Sequence, residues 1–266
     1  MPKSPGPVIG VVHLLPLPGS PRYGGSMAEV LRRAVADARA YAKGGADAVI
    51  VENYGDAPFF KEGLPAEAVA ALAVAAAAVG DAVKLPFGVN ALRNDARAAL
   101  GVAAAAGAAF LRVNVHAGVT ATDQGLVEGR AAETLRVRRL LGADVSILAD
   151  VHVKHGRQLD AGPIGDAARD LVLRGGADGV IVSGASTGRE TDLADLRAVR
   201  AALPRAFVLA GSGVRAETVA SVLAVADAVI VGTSLKRGGR TEAPVDAARV
   251  ARFTRAARGG ARGRGR

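Results

Sequence analysis

One phrase recurs along the chain: Gly45-Ala46-Asp47-Ala48-Val49-Ile50-Val51, Gly107-Ala108-Ala109-Phe110-Leu111-Arg112-Val113, Gly176-Ala177-Asp178-Gly179-Val180-Ile181-Val182 and Ala226-Asp227-Ala228-Val229-Ile230-Val231. In three copies a glycine stops a helix, and in all four the β-branched run that follows lacks polar alternation. Strands that read this way belong to parallel sheets covered on both faces. Four further strands, Ile9 to His13, Phe87 to Asn90, Val145 to His152 and Phe207 to Ala210, bring the count to eight. Between them lie Ala-rich helical stretches: Met27 to Lys43, Ala66 to Val79, Asp95 to Ala106, Glu128 to Leu141, Gly165 to Arg174, Leu193 to Ala202 and Glu217 to Ala224.

Strand, helix and strand repeated in this way predict an α/β fold, a single-domain (β/α)8 TIM barrel, with an open doubly wound sheet as the alternative. A chain of 266 residues is close to the usual size of such a barrel. Half the residues are hydrophobic and only 3% are aromatic, so the core is built from Ala, Val and Leu. No linker or composition break interrupts residues 1–254. The segment 255–266 is expected to be a disordered Arg/Gly tail, because it holds five arginines and no acid. Taking those five from the net charge of +9 leaves +4 on the rest. The expectation is therefore no specific nucleic-acid partner, only non-specific contact through the tail.

Cysteine is absent, which excludes disulfides, thiolate metal sites and a cysteine nucleophile. The apolar stretches are too short for a transmembrane span and the N-terminus does not read as a signal peptide, so a cytoplasmic protein is expected. Barrels of this size often pair, which leaves a homo-oligomer open.

Residues two apart on a strand share a face. On that rule Glu52, Asn90, Arg112, Asn114, His116, Asp150 and His152 fall on inward-facing sets near the C-terminal ends of four strands. Charged and amide groups buried together must satisfy one another or a ligand, since each unpaired one costs a few kcal/mol. Arg112 bridges Glu52 or Asp150 in the simplest structural reading. Asp150 and His152 are candidates for general acid and base, with Glu52, Asn90 and Asn114 orienting a substrate. The same Asp150, His152 and Glu52 make a divalent cation the one cofactor to consider.

The ends of the last two strands, Gly211-Ser212-Gly213 and Gly232-Thr233-Ser234, are small enough to let backbone N–H groups approach an anion. Barrels commonly bind phosphate there, helped by a helix N-terminus; here the next helix is expected near Glu217. A small phosphorylated ligand is the expected partner. Ser183-Gly184-Ala185-Ser186-Thr187-Gly188 extends this polar rim, although no nucleophile elbow surrounds Ser183. Lys154 and Lys236 are the lysines placed for phosphate contact or a Schiff base.

The opening run Val8-Ile9-Gly10-Val11-Val12-His13-Leu14-Leu15-Pro16-Leu17-Pro18-Gly19-Ser20-Pro21 closely resembles the BtpA family. The likeness continues through Val51-Glu52-Asn53, Gly88-Val89-Asn90, Arg93-Asn94-Asp95, Arg112-Val113-Asn114, Asp150-Val151-His152-Val153-Lys154-His155 and Thr187-Gly188. The resemblance implies a barrel of the ribulose-phosphate-binding kind. The family name comes from a factor of photosystem I biogenesis, while other members look like enzymes of sugar-phosphate or nucleotide metabolism. No catalytic role is carried over residue by residue.

Overall fold

The computed structural model describes residues 6–159, 162–184 and 192–261. Among these described residues there are eleven strands: β1 (Val8–His13), β2 (Ala48–Glu52), β3 (Phe87–Asn90), β4 (Phe110–Val113), β5 (Val119–Thr122), β6 (Gly125–Glu128), β7 (Ser146–Val151), β8 (Gly156–Gln158), β9 (Gly179–Ser183), β10 (Phe207–Gly211) and β11 (Ala228–Val231). The helices are α1 (Met27–Lys43), α2 (Ala66–Ala82), α3 (Ala96–Ala106), α4 (Ala131–Leu140), α5 (Ile164–Arg169, continued by a π-helical turn to Arg174), α6 (Leu193–Ala202), α7 (Val219–Leu223) and α8 (Ala247–Ala261). Eight strands close a parallel barrel in the order β1-β2-β3-β4-β7-β9-β10-β11, and β11 pairs back to β1. This is the expected (β/α)8 barrel.

The repeated aspartate has a structural purpose that periodicity does not reveal. Asp47, Asp178 and Asp227 each precede a strand, and their carboxylates accept backbone N–H bonds from the neighbouring strand at Val8 (2.9 Å), Ile147 (2.7 Å) and Val208 (2.9 Å). Each aspartate's own N–H donates back to a carbonyl of that strand, at Val8, Ile147 and Val208. The phrase therefore zips the N-terminal rim of the barrel and starts the pairing in register. Where the phrase carries Ala109 in place of aspartate, the backbone bond to Phe87 remains.

Two findings differ from expectation. The strands β5, β6 and β8 form a separate antiparallel sheet over the barrel mouth, in stretches expected to be loop or the start of a helix. Val127 on β6 packs with Val115 and Val153 in a small core of its own, which fixes the sheet against the chain leaving β4 and β7. The other difference is the boundary at 255: α8 runs through it to Ala261, with Ala257 fully buried and Arg258 donating to Gly45 O at 2.9 Å. The alanine face of the segment supplies the apolar contact that its Arg/Gly content alone did not suggest. Residues 262–266 of the expected tail, and Ala185 to Gly188 of the expected rim, lie outside the described residues.

Inside the barrel a lumen core of Ile9, Val11, Ala48, Ile50, Phe110, Leu148, Ile181, Leu209, Ala228 and Ile230 fills the lower layers. The Phe110 ring occupies the space a side chain on β3 would take: a Cβ on Gly88 would sit 2.3 Å from its Cε2. Gly88→Ala is therefore expected to cost about 1–3 kcal/mol in urea unfolding, and Phe110→Leu in the same chain should recover part of it. Equal losses in the single and double variants would contradict this packing.

Candidate functional site

The lumen alternation continues upward into one polar layer. Two residues beyond the apolar positions stand His13, Glu52, Arg112, Asp150, Ser183 and Gly211, with Asn90 beyond Gly88 and Gly232 one step past β11. The layer beneath is apolar and offers no hydrogen-bond partner, so the layer above must satisfy itself and its hydrogen bonds are numerous.

Arg112 is the hub. Its Nε and Nη2 donate to the two oxygens of Asp150 at 2.9 Å each, and Nη1 donates to Glu52 Oε1 at 3.3 Å. Both bridges of the structural reading are made at once. Burial by itself lowers the basicity of Arg112, but Asp150 and Glu52 outweigh it and hold the guanidinium charged above its ordinary range. Asp150 also accepts from Asn114 Nδ2 (2.9 Å) and Ser183 Oγ (3.0 Å), so four donors converge on it. Asn90 Nδ2 donates to Glu52 Oε1 at 3.1 Å. The other oxygen of Glu52 faces the His13 ring, 3.7 Å from Nε2, and that ring lies against Tyr54 with centroids 4.6 Å apart.

This geometry sorts the expected site residues. Glu52, Asn90, Arg112, Asn114 and Asp150 come together. His152 and His116 do not join them. β7 ends at Val151, and His152 takes a left-handed φ of 53°, so the alternation that placed it beside Asp150 no longer holds. Its Nε2 is buried without a hydrogen bond among the described residues. β4 likewise ends before His116, whose Nε2 bonds Gly175 O at 2.8 Å, away from the polar layer. The imidazole that the polar layer does hold is His13, beside Glu52, whose inward parity with Ile9 and Val11 is readable in the sequence. Among the described residues no three His, Asp or Glu side chains converge to hold a metal ion. The arginine between Glu52 and Asp150 is the reason, and the expected divalent-cation set does not fit.

A cavity of about 690 Å³ opens above this layer. Glu52, His13, Arg112 and Lys154 line it together with Ser212, Gly213, Gly232, Thr233 and Ser234 of the glycine loops, and Arg215, Glu217, Arg249 and Arg252 add further charge. Ser212 and Gly213 are consecutive residues of positive φ (89° and 68°), which turns the backbone sharply at the cavity wall. Gly211 lies below them, its own side of β10 closed by Ile181. Ser234 Oγ donates to Val214 O at 3.0 Å and locks the two loops together. The following helix starts at Val219 rather than near Glu217 and is only five residues long, so the loop backbone rather than a helix dipole would carry an anion.

Two lysines separate here. Lys154 lines the cavity, whereas Lys236 is completely buried behind it with no partner for Nζ among the described residues. Burial pulls Lys236 down to about 8. Burial, then Lys236, Lys154 and Arg112, push His13 well below the ordinary histidine value, so the imidazole at the cavity is neutral.

Fold and site together define a single-domain (β/α)8 barrel protein with a polar cavity at the C-terminal ends of its strands. The chain belongs to the BtpA family, whose model matches residues 4–259. It is 47% identical to an uncharacterized protein of Pyrococcus furiosus across 92% of each chain. It is 46% identical to the photosystem I biogenesis protein BtpA of Synechocystis sp., over 94% of this chain and 87% of that one. A solved thiamine phosphate pyrophosphorylase from Pyrococcus furiosus shares the fold, with a TM-score of 0.61 at 13% identity over 96% of both chains. No helix among the described residues is long and apolar enough to cross a membrane.

The neutral state of His13 has a measurable consequence. Above its ordinary value of 6.5, folded and unfolded chains are both neutral at this residue. As pH falls through that value the unfolded chain takes up a proton that the fold refuses, so stability drops. Denaturation at pH 7 and pH 5 should show a smaller loss in His13→Gln than in wild type; equal losses would contradict a depressed His13.

Proposed function

We propose that the barrel mouth binds a small phosphorylated metabolite, a sugar phosphate or nucleotide, and that the protein is an enzyme acting on it as an isomerase, lyase or hydrolase. The observation that carries this reading is that one cavity is lined by both the glycine loops and the charged layer. Ser212, Gly213, Gly232, Thr233 and Ser234 hold the phosphate through backbone N–H groups and hydroxyls, and Gly211, the last residue of β10, leads into the first of these loops. The remainder of the ligand then lies over Glu52, His13 and Lys154. Asp150 carries four hydrogen bonds and does not line the cavity, so its role is to fix Arg112, Asn114 and Ser183; Asn90 does the same for Glu52. Proton transfer falls to Glu52 and the neutral His13 rather than to Asp150 and His152, with Lys154 beside them. His152 shapes the loop that carries Lys154.

A cytoplasmic location suits such a metabolite. The name of the Synechocystis relative supports a second reading, a non-catalytic biogenesis factor using the barrel as a scaffold. That reading predicts a stoichiometric protein partner on native co-purification.

A ligand that binds only the folded state at about 100 times its Kd adds ~2.7 kcal/mol, roughly 5 to 10 °C in thermal midpoint for a chain of this size. Inorganic phosphate and ribose 5-phosphate should each raise the midpoint of the wild type. Thr233→Asp, which puts a like charge on the cavity wall at the second glycine loop, should abolish both shifts. Unchanged shifts in that variant, or none in the wild type, would contradict the proposed phosphate site.

A further inference from the structure

The segment from Asp150 to Gly156 is held more firmly than a solvent loop requires. His152 and His155 are both left-handed, with φ of 53° and 58°, a conformation non-glycine residues keep only where the surroundings impose it. Val153 between them is buried in the small core with Val115 and Val127. Arg93, itself buried, donates from Nη2 to the carbonyl of Lys154 at 2.7 Å. These restraints fix Lys154 at the wall of the cavity that Glu52, His13 and the two glycine loops also line. No hydrogen bond or ion pair to its ammonium is found among the described residues. The carboxylates nearest to it are already engaged: Asp150 by Arg112, Asn114 and Ser183, and one oxygen of Glu52 by Arg112 and Asn90.

We propose that Lys154 is a Schiff-base lysine and that the substrate is therefore a phosphorylated aldehyde or ketone. This rests on the phosphate reading given above and narrows its substrate class. The Nζ lone pair attacks the carbonyl carbon, forming the C–N bond while the carbonyl oxygen becomes a hydroxyl. The carbinolamine hydroxyl then takes a proton and leaves as water, giving a protonated imine with no net oxidation or reduction. His13 and the Glu52 oxygen facing it at 3.7 Å are placed on the cavity wall to move these protons. A phosphate in the glycine loops would hold the other end of the ligand. Burial, with Arg112 and Arg93 adding to it, lowers the basicity of Lys154 against the pull of Glu52 and Asp150, which increases the share of free amine available for attack. Lys236 has a free amine too, but it lies behind the cavity wall rather than at it.

The test is reductive trapping. Full-length protein is mixed with dihydroxyacetone phosphate or ribose 5-phosphate, treated with sodium borohydride and mapped by peptide mass spectrometry. The proposal predicts that Lys154 gains the mass of the sugar phosphate less one oxygen, and that inorganic phosphate in excess suppresses the labelling. Lys154→Gln and Lys154→Arg should both lose the adduct. Lys154→Arg keeps the positive charge, so its retained thermal shift with inorganic phosphate would show that the fold and phosphate loops are intact; Lys236→Gln should still label. Absence of an adduct in wild type that is stabilised by inorganic phosphate overturns the Schiff base and leaves the phosphate reading standing. An adduct confined to Lys236 also overturns it. Absence of stabilisation by inorganic phosphate and by both sugar phosphates removes the phosphate reading and this inference with it.

Discussion

A guanidinium buried in the barrel lumen, Arg112, is the constraint on which the open end of this molecule depends. It lies between two carboxylates that belong to strands on either side of it in the barrel, Glu52 on β2 and Asp150 on β7, and it bonds both. Each carboxylate alone at that depth would take up a proton or draw in water. With Arg112 between them both are paired, and their oxygens also accept from Asn90, Asn114 and Ser183. A buried ion cluster of this kind is poor evidence for stability, since apolar residues of similar volume often do as well. Its value is positional. The charges, once paired, hold one oxygen of Glu52 toward His13 and keep the cavity floor fixed.

The same arrangement determines which groups reach the cavity. Asp150 is consumed in the cluster, whereas Glu52, His13 and Lys154 reach the cavity with valences unspent. In the same cavity the backbone of Ser212 and Gly213 turns left-handed and is tied to the β11 loop through Ser234. The cavity thus combines backbone dipoles with ionisable side chains. Membership of the BtpA family, shared with archaeal and cyanobacterial relatives, does not by itself choose a reaction.

Much of the barrel was legible because its strands follow a simple rule. Continuous β-branched runs after Gly-Ala-Asp placed the strands of the repeated phrase, and strand parity correctly brought Glu52, Asn90, Arg112 and Asp150 into one layer. Parity failed where strands ended: His152 and His116 lie beyond β7 and β4, and alternation says nothing once φ and ψ leave the β region. His13 was missed although it obeys the rule, because the first strand was read for its apolar run and its last residue was not carried through. The sheet of β5, β6 and β8 was hidden for a different reason. Its partners Thr120 and Gln158 lie far apart in sequence, and its strands are three or four residues long, too short for a periodic pattern. The metal reading fell to Arg112, since sequence lists donors but not what stands between them.

The central claim, that Arg112 pairs two buried carboxylates and holds them in place, is tested most directly by comparing urea unfolding of Arg112→Met with that of Glu52→Gln/Asp150→Asn/Arg112→Met. Removal of the arginine alone should cost about 3–5 kcal/mol by stranding the carboxylates, and neutralising both partners in the same chain should recover most of that loss. An Arg112→Met chain as stable as wild type, or a triple variant no better than the single one, would contradict the account.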